Sequence, residues 1–148
     1  MTHKTRQLWT DADFDELSWH DNYVHGIQVE GGGEFGTGTL ILDLDYILEW
    51  LRPSGQLFEF RIAPASLTFH DVFALKIDLD WIGAAMSPFS ISQISRQKLP
   101  HESWSWSIGV NWPEGTITFE ATGFTQMLRS EPLIKREQHL EANERVLR

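Results

Sequence analysis

Apolar and polar residues alternate along most of this chain. Tyr23, His25, Ile27 and Val29 interleave with Val24, Gly26, Gln28 and Glu30, and Leu40, Leu42, Leu44 and Tyr46 with Ile41, Asp43, Asp45 and Ile47. Phe58, Phe60 and Ile62 interleave with Glu59 and Arg61, and Leu75, Ile77, Leu79 and Trp81 with Lys76, Asp78 and Asp80. The cleanest run sets Trp104, Trp106, Ile108, Val110 and Trp112 against Ser105, Ser107, Gly109 and Asn111. Ile117, Phe119 and Ala121 then alternate with Thr118, Glu120 and Thr122. A period of two puts successive side chains on opposite faces of a strand, so each run predicts a strand with one buried and one wet face. Strands of parallel sheets are apolar on both faces, and the pattern therefore predicts antiparallel pairing.

The punctuation agrees. Arg52-Pro53-Ser54-Gly55 and Trp112-Pro113-Glu114-Gly115 each carry Pro at the second and Gly at the fourth turn position, between two alternating runs, and predict hairpins. Gly31 to Gly38 holds five glycines and predicts a flexible loop between two strands. Thr10 ahead of Asp11, Asp13, Asp15 and Glu16 suits a helix N-terminus, with Phe14 and Leu17 on one face. Leu133, Leu140 and Leu147, spaced by seven in a polar tail, make a stripe too thin for more than a frayed helix.

The expected architecture is a single mainly β domain over residues 10–132, an antiparallel sandwich or partly open barrel of about seven or eight strands. A short N-terminal helix opens it, a flexible arm over residues 1–9 precedes it, and a polar tail or weak C-terminal helix over 133–148 follows. Its expected core holds Leu42, Leu44, Phe60, Ile77, Leu79, Trp104, Trp106, Ile108, Val110 and Phe119.

Composition sharpens this picture. With 148 residues, 41% apolar, seven Trp and nine Phe, the chain can build a real core and is not disordered. It has no cysteine, which excludes disulfides, thiol catalysis and cysteine-ligated zinc. The net charge of −9 is uneven: residues 1–80 carry 14 acids and 5 bases, whereas 81–148 carry 7 of each. Clustered Lys and Arg are what bind phosphate backbones and anionic lipid, so nucleic acid and membrane surfaces are poor partners for such a chain. No apolar run has signal-peptide or membrane-spanning length, so a soluble cytoplasmic protein is expected.

Two sets of residues could carry chemistry. Asp43 with Asp45, and Asp78 with Asp80, each share a strand face; on neighbouring strands the four carboxylates would converge, an arrangement that suits a hard cation or a basic partner. Otherwise they form a solvated outer face that keeps the sheet from associating edge to edge. His20, Asp21 and His25 could supply metal ligands or a general base, or could simply anchor the backbone at the start of the first long strand. Trp104, Trp106 and Trp112 could stack on sugars. The strand's other face is Ser, Ser, Gly and Asn, so the aromatic row is needed for the core. Residues 39–47 echo 74–82, and Trp19-His20-Asp21 echoes Phe69-His70-Asp71, but the unequal offsets of 35 and 50 exclude a regular repeat. The glycine-rich stretch lacks the Lys-Ser/Thr of a phosphate loop, and neither a Gly-x-Ser-x-Gly elbow nor His-Glu-x-x-His occurs.

Taken together, Ser18-Trp19-His20-Asp21, Leu42-Asp43-Leu44-Asp45-Tyr46-Ile47, Ala63–Phe69, Asn111–Phe119 and Gly123-Phe124-Thr125-Gln126 resemble a small family of uncharacterised bacterial proteins. The resemblance covers about residues 13–132. It implies a bacterial, soluble, single-domain protein and transfers no catalytic residue or cofactor. The expected function is non-catalytic binding, with Asp43, Asp45, Asp78, Asp80, His20 and Asp21 meeting a basic protein partner. The alternatives are a metal-dependent hydrolase using His20, Asp21 and an Asp pair, with His25 a further ligand candidate, and a β-barrel enclosing a small ligand. Sheet edges leave room for a homodimer.

Overall fold

A computed structural model describes residues 5–53, 55, 57–81 and 88–145. Ser54 of the first turn, Ile82 at the end of the second echo, and Leu147 of the tail lie outside them. Nine strands form one antiparallel sheet: β1 (Leu8–Thr10), β2 (Tyr23–Glu30), β3 (Gly38–Leu51), β4 (Glu59–Leu79), β5 (Phe89–Lys98), β6 (Trp104–Trp112), β7 (Gly115–Ala121), β8 (Gly123–Leu128) and β9 (Leu133–Lys135). Pairings run β4-β3-β2-β5-β6-β7 and return to β4, so the sheet is ring-like. The seam between β2 and β5 is only two residue pairs long, Tyr23 with Ser90 and Val24 with Phe89. β8, β1 and β9 extend the sheet along β4.

Both Pro-Gly turns sit in hairpins, β3–β4 and β6–β7, as the alternation requires. β4 can serve two sheet regions because it bends at Asp71 and Ala74, both at positive φ (55° and 54°). Before the bend it pairs with β3 and β8; after it, with β7.

The inward faces of the ring meet in an aromatic core. Phe69 lies 4.7 Å from Phe119 and 5.1 Å from Trp106, ring centroid to centroid, and Phe124 closes the cluster at 5.9 Å from Phe69. Trp19 packs on Phe124 and donates from Nε1 to the buried Gln126 Oε1 at 2.7 Å. This interior is filled by side chains.

Most of the expected core is where alternation put it: Leu42, Leu44, Trp106, Ile108, Val110 and Phe119 are buried. Trp104 and Leu79 are partly buried against that cluster. Ile77, opposite the buried Ile117 near the end of β4, is 43% exposed, and Trp112, which follows a register shift between β5 and β6 and sits opposite Ser90, is 56% exposed. Within β2, a register shift between Val24 and Gly26 reverses the facing, so that Val24 and Ile27 both point inward.

The ends of the chain depart furthest from expectation. Trp9, assigned to a flexible arm, is 8% exposed and packs 5.6 Å from Tyr46, because β1 pairs with β8. Burial pushes the Tyr46 phenol up to about 12. The short helix after Thr10 is a 3-10 turn over Asp11–Glu16, where the Asp13 carboxylate accepts from the Thr10 N–H at 2.9 Å. Over its described residues, 133–145, the tail holds no α-helix. Its β9 pairs with Phe60–Ile62 of β4, Leu140 is buried, and a 3-10 turn over Ala142–Glu144 follows. Leu133 and Leu140 cover Ile47, Phe60 and Ile62 on the outer face of β3 and β4, creating a second small core.

Candidate functional site: an acidic clasp and an aromatic groove

The same tail builds two sites on that outer face. The first is a clasp. Asp43 and Asp45 point outward from β3, as alternation requires, but Asp45 is fully buried beneath residues 140–145. Its Oδ2 accepts from the Leu140 N–H at 2.9 Å and lies 2.7 Å from His25 Nε2; its Oδ1 accepts from Arg145. Arg145 also donates to Asp43, which takes a second guanidinium from Arg129. Arg129 in turn donates to Ser66 Oγ at 3.0 Å. Lys135 pairs with Glu144 and ties the two ends of the strap together.

Electrostatics follow from this geometry. Burial opposes the Asp43 charge, but hydrogen bonds from Arg129 and Arg145 outweigh it and hold the carboxyl below its ordinary value. Burial lowers the His25 pKa, helped by the Arg145 and Arg129 charges against the pull of Asp43, so the imidazole stays neutral near pH 7. A neutral His25 with its proton on Nε2 donates to the Asp45 carboxylate.

The second site is a groove of about 470 Å³. Trp50 near the end of β3 and Phe58 just before β4 form its floor with Phe60, which pairs with Trp50 across the hairpin. Trp50 stands edge-on to Phe58 at 5.5 Å and to Phe60 at 5.0 Å. Tyr23 and His139, 5.1 Å apart, make one wall, and the tail residues Arg136 to Gln138 make the rim. Phe60 is buried, yet Trp50 and Phe58 are 41% and 42% exposed, and neighbouring Leu57 is 65% exposed. The Arg52 guanidinium lies 4.8 Å from the Phe58 ring centre. Neither Arg52 nor Arg136 makes an ion pair among the described residues.

The residues singled out from sequence scatter among these features. His20 stacks on Trp50 at 6.3 Å and its Nδ1 lies 3.1 Å from the Ser92 carbonyl. Asp21, at φ 62°, accepts weakly from Asn111 and from Gln138 of the groove rim, each at 3.4 Å, and its N–H donates to Ile91 O. Both residues therefore border the groove and brace it against β5. Asp43, Asp45 and His25 form the clasp. Asp78 and Asp80 are exposed and unpaired among the described residues, and they stand elsewhere: β3 stops pairing with β4 at Val72, short of Asp78, which sits opposite Thr116 of β7. The four carboxylates thus do not converge.

Among the described residues no group of three or more His, Asp or Glu side chains is arranged to hold a metal ion. His20 and Asp21 sit beside the groove, while Asp43 and Asp45 are bound to Arg129, Arg145 and His25, so these residues do not come together at one point. Sequence reasoning missed Trp50, Leu57, Phe58 and Arg136. Three large apolar residues flanking a Pro-Gly turn, where polar residues are usual, were the signal that could have found them. Among the described residues no helix is long and apolar enough to cross a membrane. Comparison of the chain with protein families, curated proteins and solved structures found no match.

Proposed function

We propose that this chain is a non-catalytic binding protein and that its partner, a protein segment with an exposed apolar side chain, docks in the aromatic groove. One observation carries the reading: Trp50 and Phe58 stay more than two-fifths exposed although they meet edge-to-face and both pack on a buried Phe60, Trp50 edge-on and Phe58 stacked. Rigid, half-exposed aromatics beside arginines have the composition of a binding hot spot, since they lose little conformational freedom on contact and desolvate readily. The acidic pair of β3 is poorly suited to that role, because its own arginines already occupy it.

Selection of peptides from a random library against the wild-type protein, with every selected peptide then measured against a Trp50→Ala/Phe58→Ala variant, tests this. The expected outcome is groove-dependent peptides rich in aromatic or large aliphatic anchors. Peptides that bind both proteins equally would contradict it. A second reading is favoured by the exposed, unpaired Asp78 and Asp80, which suit a basic partner approaching β4 and β7.

A further inference from the structure

The chain carries a surface that complements its own groove. The loop between β2 and β3 is a tight tip and not a flexible linker: Gly33 N–H donates to Thr37 O at 3.0 Å, and Thr37 N–H donates to Glu34 O at 3.1 Å. Glycine is required at its base, because a Cβ at Gly38 would lie 2.5 Å from the Glu30 carbonyl oxygen. At the apex Phe35 is held at φ 58° and ψ 27°, a left-handed conformation that a phenylalanine adopts only when its surroundings impose it. It is 94% exposed, more than any other large apolar side chain described. Glu30 and Glu34 flank it, and residues 26–38 contain no Lys or Arg. The tip is thus an aromatic knob in an acidic setting. The groove is an aromatic hollow with Arg136 on its rim, which makes no ion pair among the described residues because the adjacent Glu137 pairs with Lys135, and with the Arg52 guanidinium beside it over the Phe58 ring.

We propose that the occupant of the groove is a second copy of this chain, which inserts Phe35 between Trp50 and Phe58 and sets Glu34 against Arg136 or Arg52. The proposal rests on the reading of the groove as a binding surface and names its partner. Knob and groove lie at opposite ends of β3, roughly 40 Å apart at about 3.3 Å per residue, so one molecule cannot fill its own groove. The contact is heterologous, with different surfaces of the two copies meeting, and it propagates head to tail unless the rotation closes a ring.

Complementation tests it. Phe35→Asp removes the knob and keeps the groove; Trp50→Ala/Phe58→Ala removes the groove and keeps the knob. In sedimentation velocity the wild type associates as concentration rises toward ~1 mM, the range of weak complexes, and each variant alone stays monomeric. An equimolar mixture of the two variants forms a dimer that grows no further, since only one productive contact remains. Truncating the anchor weakens association roughly 30-fold or more. Arg136→Glu alone weakens it too, and Glu34→Arg in the same chain restores it, which guards against an effect of the aromatic truncations on folding. A wild type that stays monomeric, or a mixture that forms no dimer, overturns self-docking. If groove-dependent peptides are still selected in that case, the groove remains a binding surface for another protein; if none are selected, the groove reading falls with it.

Discussion

The clasp and the groove are built by one strap on one face of the sheet, and they treat their polar and apolar groups in opposite ways. In the clasp every charge has a counter-charge: Asp45 is shared by His25, Leu140 N–H and Arg145, and Asp43 by Arg129 and Arg145. In the groove, a few residues along the same segment, Arg136 makes no ion pair among the described residues, and Trp50 and Phe58 stay two-fifths exposed beside His20 and Arg52. A carboxylate buried in β3 would destabilise the fold strongly if left alone, so the tail must satisfy it internally. Half-exposed aromatics impose no such demand and can wait for another surface. The acidic pair that stands out on β3 is therefore structural, and the candidate binding surface is built instead on half-exposed aromatics.

The sharpest way to break this contrast is Asp45→Ala. It strands the Arg145 and His25 side chains and the Leu140 N–H under the strap, and stability is expected to fall by about 3–5 kcal/mol in urea unfolding. Leu140→Ala empties the second core beside Ile47, Phe60 and Ile62, and is expected to cost about 2–4 kcal/mol by the same measurement. Both changes loosen the tail that walls the groove, so groove-dependent peptide binding weakens with them.

Acid probes the clasp more gently. The folded pKa of His25 lies below 6.5, so the unfolded chain binds the proton first and stability declines as pH drops below about 6.5. The folded pKa of Asp43 lies below 3.8, so its contribution is present above that value and is lost as pH falls through the folded pKa. Unfolding midpoints should therefore decline in two steps, and His25→Gln should abolish only the upper one. The groove shows the reverse behaviour. Trp50→Ala is expected to change stability by about 1 kcal/mol, the size of its ring contacts, while removing peptide binding.

How much of this was legible depends on sequence distance. Alternation marked Trp106, Ile108, Val110 and Phe119 as inward and Asp43 and Asp45 as outward, because the facing of a strand residue is a local property. What covers an outward residue is not local. Arg129 and Arg145 reach Asp43 across 86 and 102 residues, and no periodicity records such a meeting. Leu133 and Leu140 looked like a thin helical stripe because their spacing is seven. They are one strand residue and one strap residue that fill gaps over β3 and β4, and a covering segment of that kind has no period of its own. Trp112 shared the parity of a core strand, but it follows a register shift between β5 and β6 and is exposed. The groove joins Tyr23, the hairpin aromatics and the tail, and only the apolar residues beside the turn hinted at it.

One measurement separates the two regions most directly: the affinity of peptides selected on the wild-type protein alone for Trp50→Ala/Phe58→Ala compared with Asp78→Asn/Asp80→Asn. The aromatic variant should lose binding at least about tenfold, and the amide variant should bind within about twofold of wild type, as expected when exposed charges lie far from the contact. Binding that survives loss of the aromatics but fails when Asp78 and Asp80 are neutralised would contradict the account and return the function to the acidic surface.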